Sequence, residues 1–233
     1  MRLGFLADAH GNPSGLSACL ARLREEGSDR IYFLGDAVGY LPGEAETLEW
    51  LRSASARCIR GNHEAMLLGE LPIPERSEAL YRLTDVRARL KSSDRAWIAS
   101  WPKEIREEID GQTFWFMHGS PADRLCGYVY PDGDFSSLDG LAHDLLVLAN
   151  THYPMVAKRG RTLILNPGSC GLPRDFGDRP SCAVYDTQTR EARIIRLRMN
   201  PERVLARFDR SLIHPDVAAC LFRSPRSRKA AAI

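Results

Sequence analysis

Arg60-Gly61-Asn62-His63-Glu64 follows a short apolar, cysteine-bearing run, residues 56–59, that reads as the end of a strand. Gly61 has no Cβ to forbid positive φ, so the backbone is free to turn sharply there. Asn62 brings a neutral amide oxygen to the turn, and His63 an imidazole that exchanges a proton near neutral pH. Turns use glycine and asparagine constantly, so the tripeptide alone says little. The residues before and after it give it weight.

Upstream, residues 3–7 form a short apolar strand that ends in Asp8-Ala9-His10-Gly11-Asn12-Pro13. A strand running into such a loop is where α/β proteins place ligands. Residues 14–26 carry Leu16, Cys19, Leu20 and Leu23 at helical spacing and stop at Gly27. Residues 31–34 are the second strand, with Gly35-Asp36 at its end, and 44–53 read as a second helix after Pro42-Gly43. With Cys58-Ile59 this makes βαβαβ, each strand ending in polar residues.

Downstream, Pro72 and Pro74 break the pattern and a helical region is expected over 75–91. Ser92-Ser93-Asp94 caps a further short helix carrying Trp97, Ile98 and Trp101 and closed by Pro102, its two tryptophans read as core packing. Residues 105–109 and 113–117 form a hairpin around Asp110-Gly111, and its second strand ends in His118-Gly119-Ser120-Pro121. Residues 145–149 are another strand, ending in Asn150-Thr151-His152-Tyr153-Pro154. A hairpin through Arg159-Gly160-Arg161 leads to 163–165 and Asn166-Pro167-Gly168-Ser169, and a last hairpin pairs 182–185 with 192–197. Val204, Leu205 and Phe208 mark a short helix near the end. No repeat or linker divides the chain, so one domain is expected over 1–222, followed by a basic, frayed tail at 223–233.

The composition is ordinary globular material, 44% hydrophobic and 27% charged over 233 residues. No run approaches the ~18 apolar residues of a membrane span, and the first residues read as a strand rather than a signal peptide. The cytoplasm is the expected compartment, with no membrane partner. The six cysteines are scattered, which argues against a zinc knuckle or a disulfide framework and for reduced, mostly buried thiols. A net charge of +2 gives no strong nucleic-acid footprint.

Every candidate ligand falls just after a strand: Asp8 and His10, Asp36, Asn62 and His63, His118, Asn150 and His152. Imidazoles, carboxylates and amide oxygens without thiolates suit a pair of borderline divalent cations, Mn²⁺, Fe²⁺ or Zn²⁺. His143 and His214 belong to no motif and read as structural or surface residues.

The ordered set Asp8-Ala9-His10, Gly35-Asp36, Gly61-Asn62-His63-Glu64, His118-Gly119-Ser120-Pro121, Thr151-His152 and Asn166-Pro167-Gly168-Ser169 resembles the calcineurin-like metallophosphoesterases. Gly171-Leu172-Pro173-Arg174-Asp175 resembles their small bacterial and archaeal, phosphodiesterase-like branch. The resemblance implies an α/β fold, a four-layer α/β/β/α sandwich with two facing mixed β-sheets, and both metals at one edge. By position, Asp8, His10 and His152 would hold the first metal, Asp36 would bridge, and Asn62 with His118 would hold the second. His63 would protonate the leaving oxygen as general acid. Asn12 and Arg60, in the same loops, are the candidate substrate contacts.

Two departures stand out. Where the Ser/Thr phosphatases of this superfamily end the Gly-Asp pattern in Asp-Arg-Gly, this chain has Ala37-Val38-Gly39-Tyr40, without the arginine that would grip phosphate in two places. Where the family usually writes Gly-His-x-His, this chain has Ala149-Asn150-Thr151-His152, so Asn150 takes a second-metal position. The resemblance implies a phosphodiesterase acting on a nucleotide or related phosphate ester. Two alternatives stay open: a phosphomonoesterase of the same fold, acting on a phosphoprotein or dinucleoside polyphosphate, and a catalytically weakened regulatory member that binds a nucleotide or partner.

Overall fold

After an exposed arginine at the start of each, the first two strands are apolar because both of their faces are covered. In β1 (Arg2–Leu6), Leu3 and Phe5 point to one side and Leu6 to the other; in β2 (Arg30–Phe33), Tyr32 follows the first pair while Ile31 and Phe33 follow Leu6. The computed structural model describes residues 1–224. Most of the basic tail expected from 223 therefore lies outside the described residues.

Two five-stranded mixed sheets face each other, as expected. The first runs β10-β9-β1-β2-β3, with β3 at Arg57–Cys58, β9 at Ser181–Asp186 and β10 at Glu191–Arg196. Its β1, β2 and β3 are parallel, joined by α1 (Pro13–Glu25) and α2 (Glu44–Ser53), which is the βαβαβ unit read from the sequence. The second runs β4-β5-β6-β8-β7: Glu104–Ile109, Gln112–Met117, Leu145–Val147, Thr162–Asn166 and Met155–Arg159. Asp110 and Gly111 both take positive φ, as a two-residue hairpin turn requires. Phe5, Tyr32 and Phe116 meet between the sheets with ring centroids 4.9 to 5.4 Å apart, and Leu145, Val147 and Leu165 complete that layer.

Helices cover the outer face of the first sheet: α1, α2, α3 (Asn62–Leu68), α5 (Leu83–Arg89) and α6 (Ser92–Ala99), with Trp97 and Trp101 packed edge to face in that core. The outer face of the second sheet, Trp115, Leu146, Leu148 and Ile164, is covered by Val129, Phe135 and Leu138 from a segment whose helical content is one 3₁₀ turn, Ser136–Leu138. α7 (Pro201–Leu205) and α8 (Pro215–Leu221) pack on Tyr40, Leu41 and Leu172. No helix among the described residues is long and apolar enough to cross a membrane.

Two expectations change. The helix expected over 75–91 is broken: α4 (Glu78–Tyr81) ends at Arg82, whose φ of 57° is left-handed, and α5 starts afresh at Leu83. The break leaves the Tyr81 carbonyl to accept the Tyr40 N–H at 3.0 Å. Asn62, read as part of a turn, is the first residue of α3.

Candidate metal centre

The carboxyl ends of β1, β2, β3, β5 and β6 open onto one edge of the sandwich, and the loops that follow are stitched to one another. Asp8 N–H donates to Gly35 O at 3.0 Å, His10 N–H to Asp36 O at 2.9 Å, and Ala149 N–H to His118 O at 2.9 Å. Ser169, after β8, donates its hydroxyl to Asp8 O at 2.7 Å. Two sheets and five strand ends are thereby fixed on a single cluster.

Three imidazoles in that cluster are oriented alike. Nδ1 of His10, His118 and His152 meets the carbonyls of Val38, Leu34 and Leu172 at 3.3, 2.7 and 2.6 Å. A carbonyl behind Nδ1 holds the proton there and leaves the Nε2 lone pair for a cation. The three Nε2 atoms converge: His10 lies 3.1 Å from His152, and His118 lies 3.0 Å from Asn62 Oδ1. Asp36 Oδ2 sits among them, 3.6 Å from His10 and 3.4 Å from His118. Asp8 Oδ1 is 3.8 Å from His152 and 4.0 Å from His118.

Both carboxylate oxygens of Asp8 are buried without a hydrogen-bond partner among the described residues. Desolvation therefore pushes its carboxyl well above the usual range, against the pull of His118. Burial likewise holds His10 and His152 well below the usual imidazole range. Burial opposes the charge on His118 too, but Asp36 and Asp8 outweigh it and push it up to about 10. Burial works against the Asp36 carboxylate, yet His118, His63 and His10 hold it below its ordinary range. Imidazoles held neutral at His10 and His152, together with the carboxylates of Asp8 and Asp36 and the imidazole of His118, are a donor chemistry that fits divalent cations. Asp8, His10 and His152 form one group able to hold a metal ion, and Asp8, Asp36 and His118 another; His10, Asp36 and His63 form a third between them.

His63 is held differently. Its backbone N–H donates to Asp36 Oδ1 at 3.0 Å and its Nε2 lies 3.9 Å from Asp36 Oδ2, but among the described residues its Nδ1 has no hydrogen-bond partner. The ring is held by aromatic contacts instead: Tyr40 stacks at 5.1 Å and Tyr81 tilts against it at 4.5 Å. A Cβ on Gly39 would come within 2.5 Å of His63 Nδ1, so only glycine lets this loop lie against the ring.

The glycine of the Gly61-Asn62-His63 turn is needed for a different reason than its sequence implied. Gly61 sits at φ −97°, open to any residue. A Cβ there would lie 2.1 Å from Asp36 Oδ1, so close approach, rather than turn handedness, selects glycine. The left-handed corners fall on the candidate ligands: Asp8, His10, Asp36, Asn150 and His152 have φ between 48° and 64°. Side-chain residues seldom adopt that region, and each costs of the order of 1 kcal/mol.

Asn150 donates Nδ2–H to Gly127 O at 3.1 Å, and its carbonyl oxygen has no hydrogen-bond partner among the described residues. Asn12 and Arg60 have structural partners. Asn12 caps α1 through Gly15 N–H and donates to Gly171 O, and the Arg60 guanidinium pairs with Glu70. His143 packs on Trp115, and His214 caps α8 by accepting the Asp216 N–H at 3.2 Å. Sequence reasoning gave no role to Tyr40, Tyr81 or Arg174, which border the cluster. Only Arg174 carried a signal, within Gly171-Leu172-Pro173-Arg174-Asp175.

Comparison with known proteins agrees with this geometry. An uncharacterized protein of Methanocaldococcus jannaschii is 26% identical over 214 residues, 84% of this chain and 86% of its own. A symmetrical bis(5′-nucleosyl)-tetraphosphatase of Cronobacter sakazakii is 26% identical over 157 residues, 65% of this chain and 52% of that one. The crystal structure of a hypothetical protein from Pyrococcus horikoshii superposes with a TM-score of 0.84 at 22% identity, covering 95% of this chain and 98% of the other. Residues 1–190 match the calcineurin-like phosphoesterase superfamily domain, and the chain belongs to that family.

Proposed function

We propose that this protein is a phosphodiesterase that uses two divalent cations to hydrolyse nucleotides or related phosphate esters. Asp8, His10 and His152 would hold one cation and Asn62, His118 and Asn150 the other, with Asp36 shared. Asp8 carries the reading: a buried carboxylate whose oxygens accept no hydrogen bond is costly unless a cation faces it. Bound there, a pair of divalent cations would lower the pKa of a water and neutralise charge on the phosphoryl oxygens.

His63 supplies the proton in this reading. Burial holds its imidazole below the usual range while Asp36 pulls the other way. An incoming phosphate anion adds to that pull, favouring the protonated ring, whose Nε2–H can then pass to the leaving oxygen. Tyr40 and Tyr81 keep the ring in place without taking up either nitrogen.

The nucleotide class rests on Tyr128 and Tyr130, whose rings lie parallel at 5.7 Å and 12° while 54% and 39% exposed. Such a pair offers an aromatic face to a base. The name of the Cronobacter relative points the same way. The diester preference follows the branch that Gly171 to Asp175 resembles.

The test is hydrolysis of bis(p-nitrophenyl) phosphate, p-nitrophenyl phosphate and a dinucleoside polyphosphate by chelator-treated and Mn²⁺-supplemented protein, with metal content measured alongside. Mn²⁺-dependent turnover that favours the diester supports the proposal. A protein that carries two metals, binds nucleotide and turns over no ester would be the weakened regulatory member that Asn150 leaves open.

A further inference from the structure

Arg174 is a half-buried arginine that forms no ion pair within 4 Å among the described residues, in a protein where most buried or half-buried carboxylates have one. Its neighbour Asp175 is taken by Arg196, at 2.6 and 3.0 Å. Among the described residues the side chain of Arg174 has one hydrogen-bond contact, from Nη2 to the Tyr40 hydroxyl at 3.4 Å, which is long for a charged donor. That contact points it at the cluster, since the Tyr40 ring lies 4.6 Å from His10 and 5.1 Å from His63. The loop that carries it is fixed to the same centre: Leu172 O orients His152, and Gly171 N–H donates to Asp8 O at 3.2 Å. Its charge is felt at Asp8, His10, His63, His152 and Tyr128.

A guanidinium sheltered from water and left without a carboxylate is costly. Here it also faces a centre to which cations would add positive charge, and cations on Asp8 would use up a carboxylate whose charge it feels. An anion is what reconciles the two. A phosphoryl group brings acceptor oxygens in a geometry that matches the guanidinium fork.

We propose that Arg174 is the phosphate clamp of this site, gripping an oxygen of the scissile phosphate and so supplying from the loop after β8 the arginine that the Gly35-to-Tyr40 loop lacks. The inference rests on the phosphoesterase reading and adds a substrate-binding residue to it.

Inorganic phosphate is the probe, as a competitive inhibitor and by calorimetric titration of the Mn²⁺-loaded protein. Arg174→Gln should weaken phosphate binding by about ten- to a hundredfold and raise KM for bis(p-nitrophenyl) phosphate more than it lowers kcat, with metal content equal to wild type. Should Arg174→Gln not fold, Arg174→Lys keeps a charge but not the fork, and a several-fold loss of phosphate affinity is expected. Tyr40→Phe separates bracing from binding, because it removes the hydroxyl contact and keeps the guanidinium. Phosphate affinity within twofold of wild type in a folded Arg174 variant overturns the clamp, and so does a Tyr40→Phe loss as large as that of Arg174→Gln. Wild-type protein that loads metal but neither binds phosphate nor turns over an ester overturns the phosphoesterase reading with it.

Discussion

The Glu64 carboxylate accepts the backbone N–H of Asp36 at 2.7 Å, and it also accepts those of Ala37 at 2.7 Å and Gly61 at 2.8 Å. Asp36 returns the contact by accepting the His63 N–H at the start of the helix that carries Glu64. The ends of β2 and β3 are thus tied through two carboxylates, one facing the backbone and one facing the candidate metal centre.

Glu64→Ala leaves three buried N–H groups without an acceptor, at about 1–3 kcal/mol each before relaxation. The variant should lose several kcal/mol and bind metal more weakly, because Asp36 is no longer fixed. Glu64→Gln, which keeps one acceptor oxygen, should lose less. Thermal unfolding of the metal-free proteins with a parallel metal titration checks both, and a Glu64→Ala protein as stable as wild type would rule out the tie.

His63→Gln should lower kcat by about 10²–10⁴-fold at near wild-type metal content if, as proposed, the ring donates a proton rather than holding a metal. The loss should shrink as the leaving group becomes more acidic. A series of aryl diesters reads this directly; loss of metal in step with activity would show His63 to be a ligand.

Asn150→His should raise second-metal affinity by about 10–100-fold, the scale on which metal-site partners act. An amide oxygen is a weaker ligand for Zn²⁺ or Fe²⁺ than imidazole, so wild-type protein should have one partly empty site and gain activity with Mn²⁺. Mn²⁺ titration of stripped wild type and variant decides it, and equal second-site affinities would put Asn150 outside the metal shell.

The metal-stripped protein should lose stability as pH rises from about 6.5 to about 10. His118 is held up to about 10 when folded, so folding binds a proton that the unfolded chain has released by then. That contribution is complete below the unfolded pKa and gone above the folded one. Metal removes the effect, because a cation replaces the proton between Asp36 and Asp8. Unfolding midpoints at pH 6, 8 and 10, with and without Mn²⁺, test the sign; a midpoint that is flat or rises in the stripped protein contradicts it.

What the sequence made legible is what local pattern controls. The βαβαβ unit, the Asp110-Gly111 hairpin and the gathering of candidate ligands at strand ends all follow from periodicity and turn chemistry. The third helix was hidden because its cap comes from outside: Asp36, on another loop, accepts the His63 N–H. Its local signal, Glu64 three residues after Gly61 and followed by Ala65-Met66-Leu67-Leu68, was present but outweighed by the turn reading. Arg82 breaks its helix so that Tyr81 can receive Tyr40, a demand set far away in the sequence. The need for glycine at 61 and the exposure of Arg174 to the centre are tertiary facts, fixed by which loops the fold brings side by side.

The left-handed backbone at Asp8, His10, Asp36, Asn150 and His152 bears on how this centre could be moved or copied. A design that transplanted the side chains onto regular strand ends would carry over the donor atoms but aim them along different vectors. The five corners, and the loop-to-loop hydrogen bonds that hold them, would have to be transplanted as a unit. Within this chain the same corners set a ceiling on thermostability engineering. Glycine would relax any one of them, but it would remove the ligand with the strain.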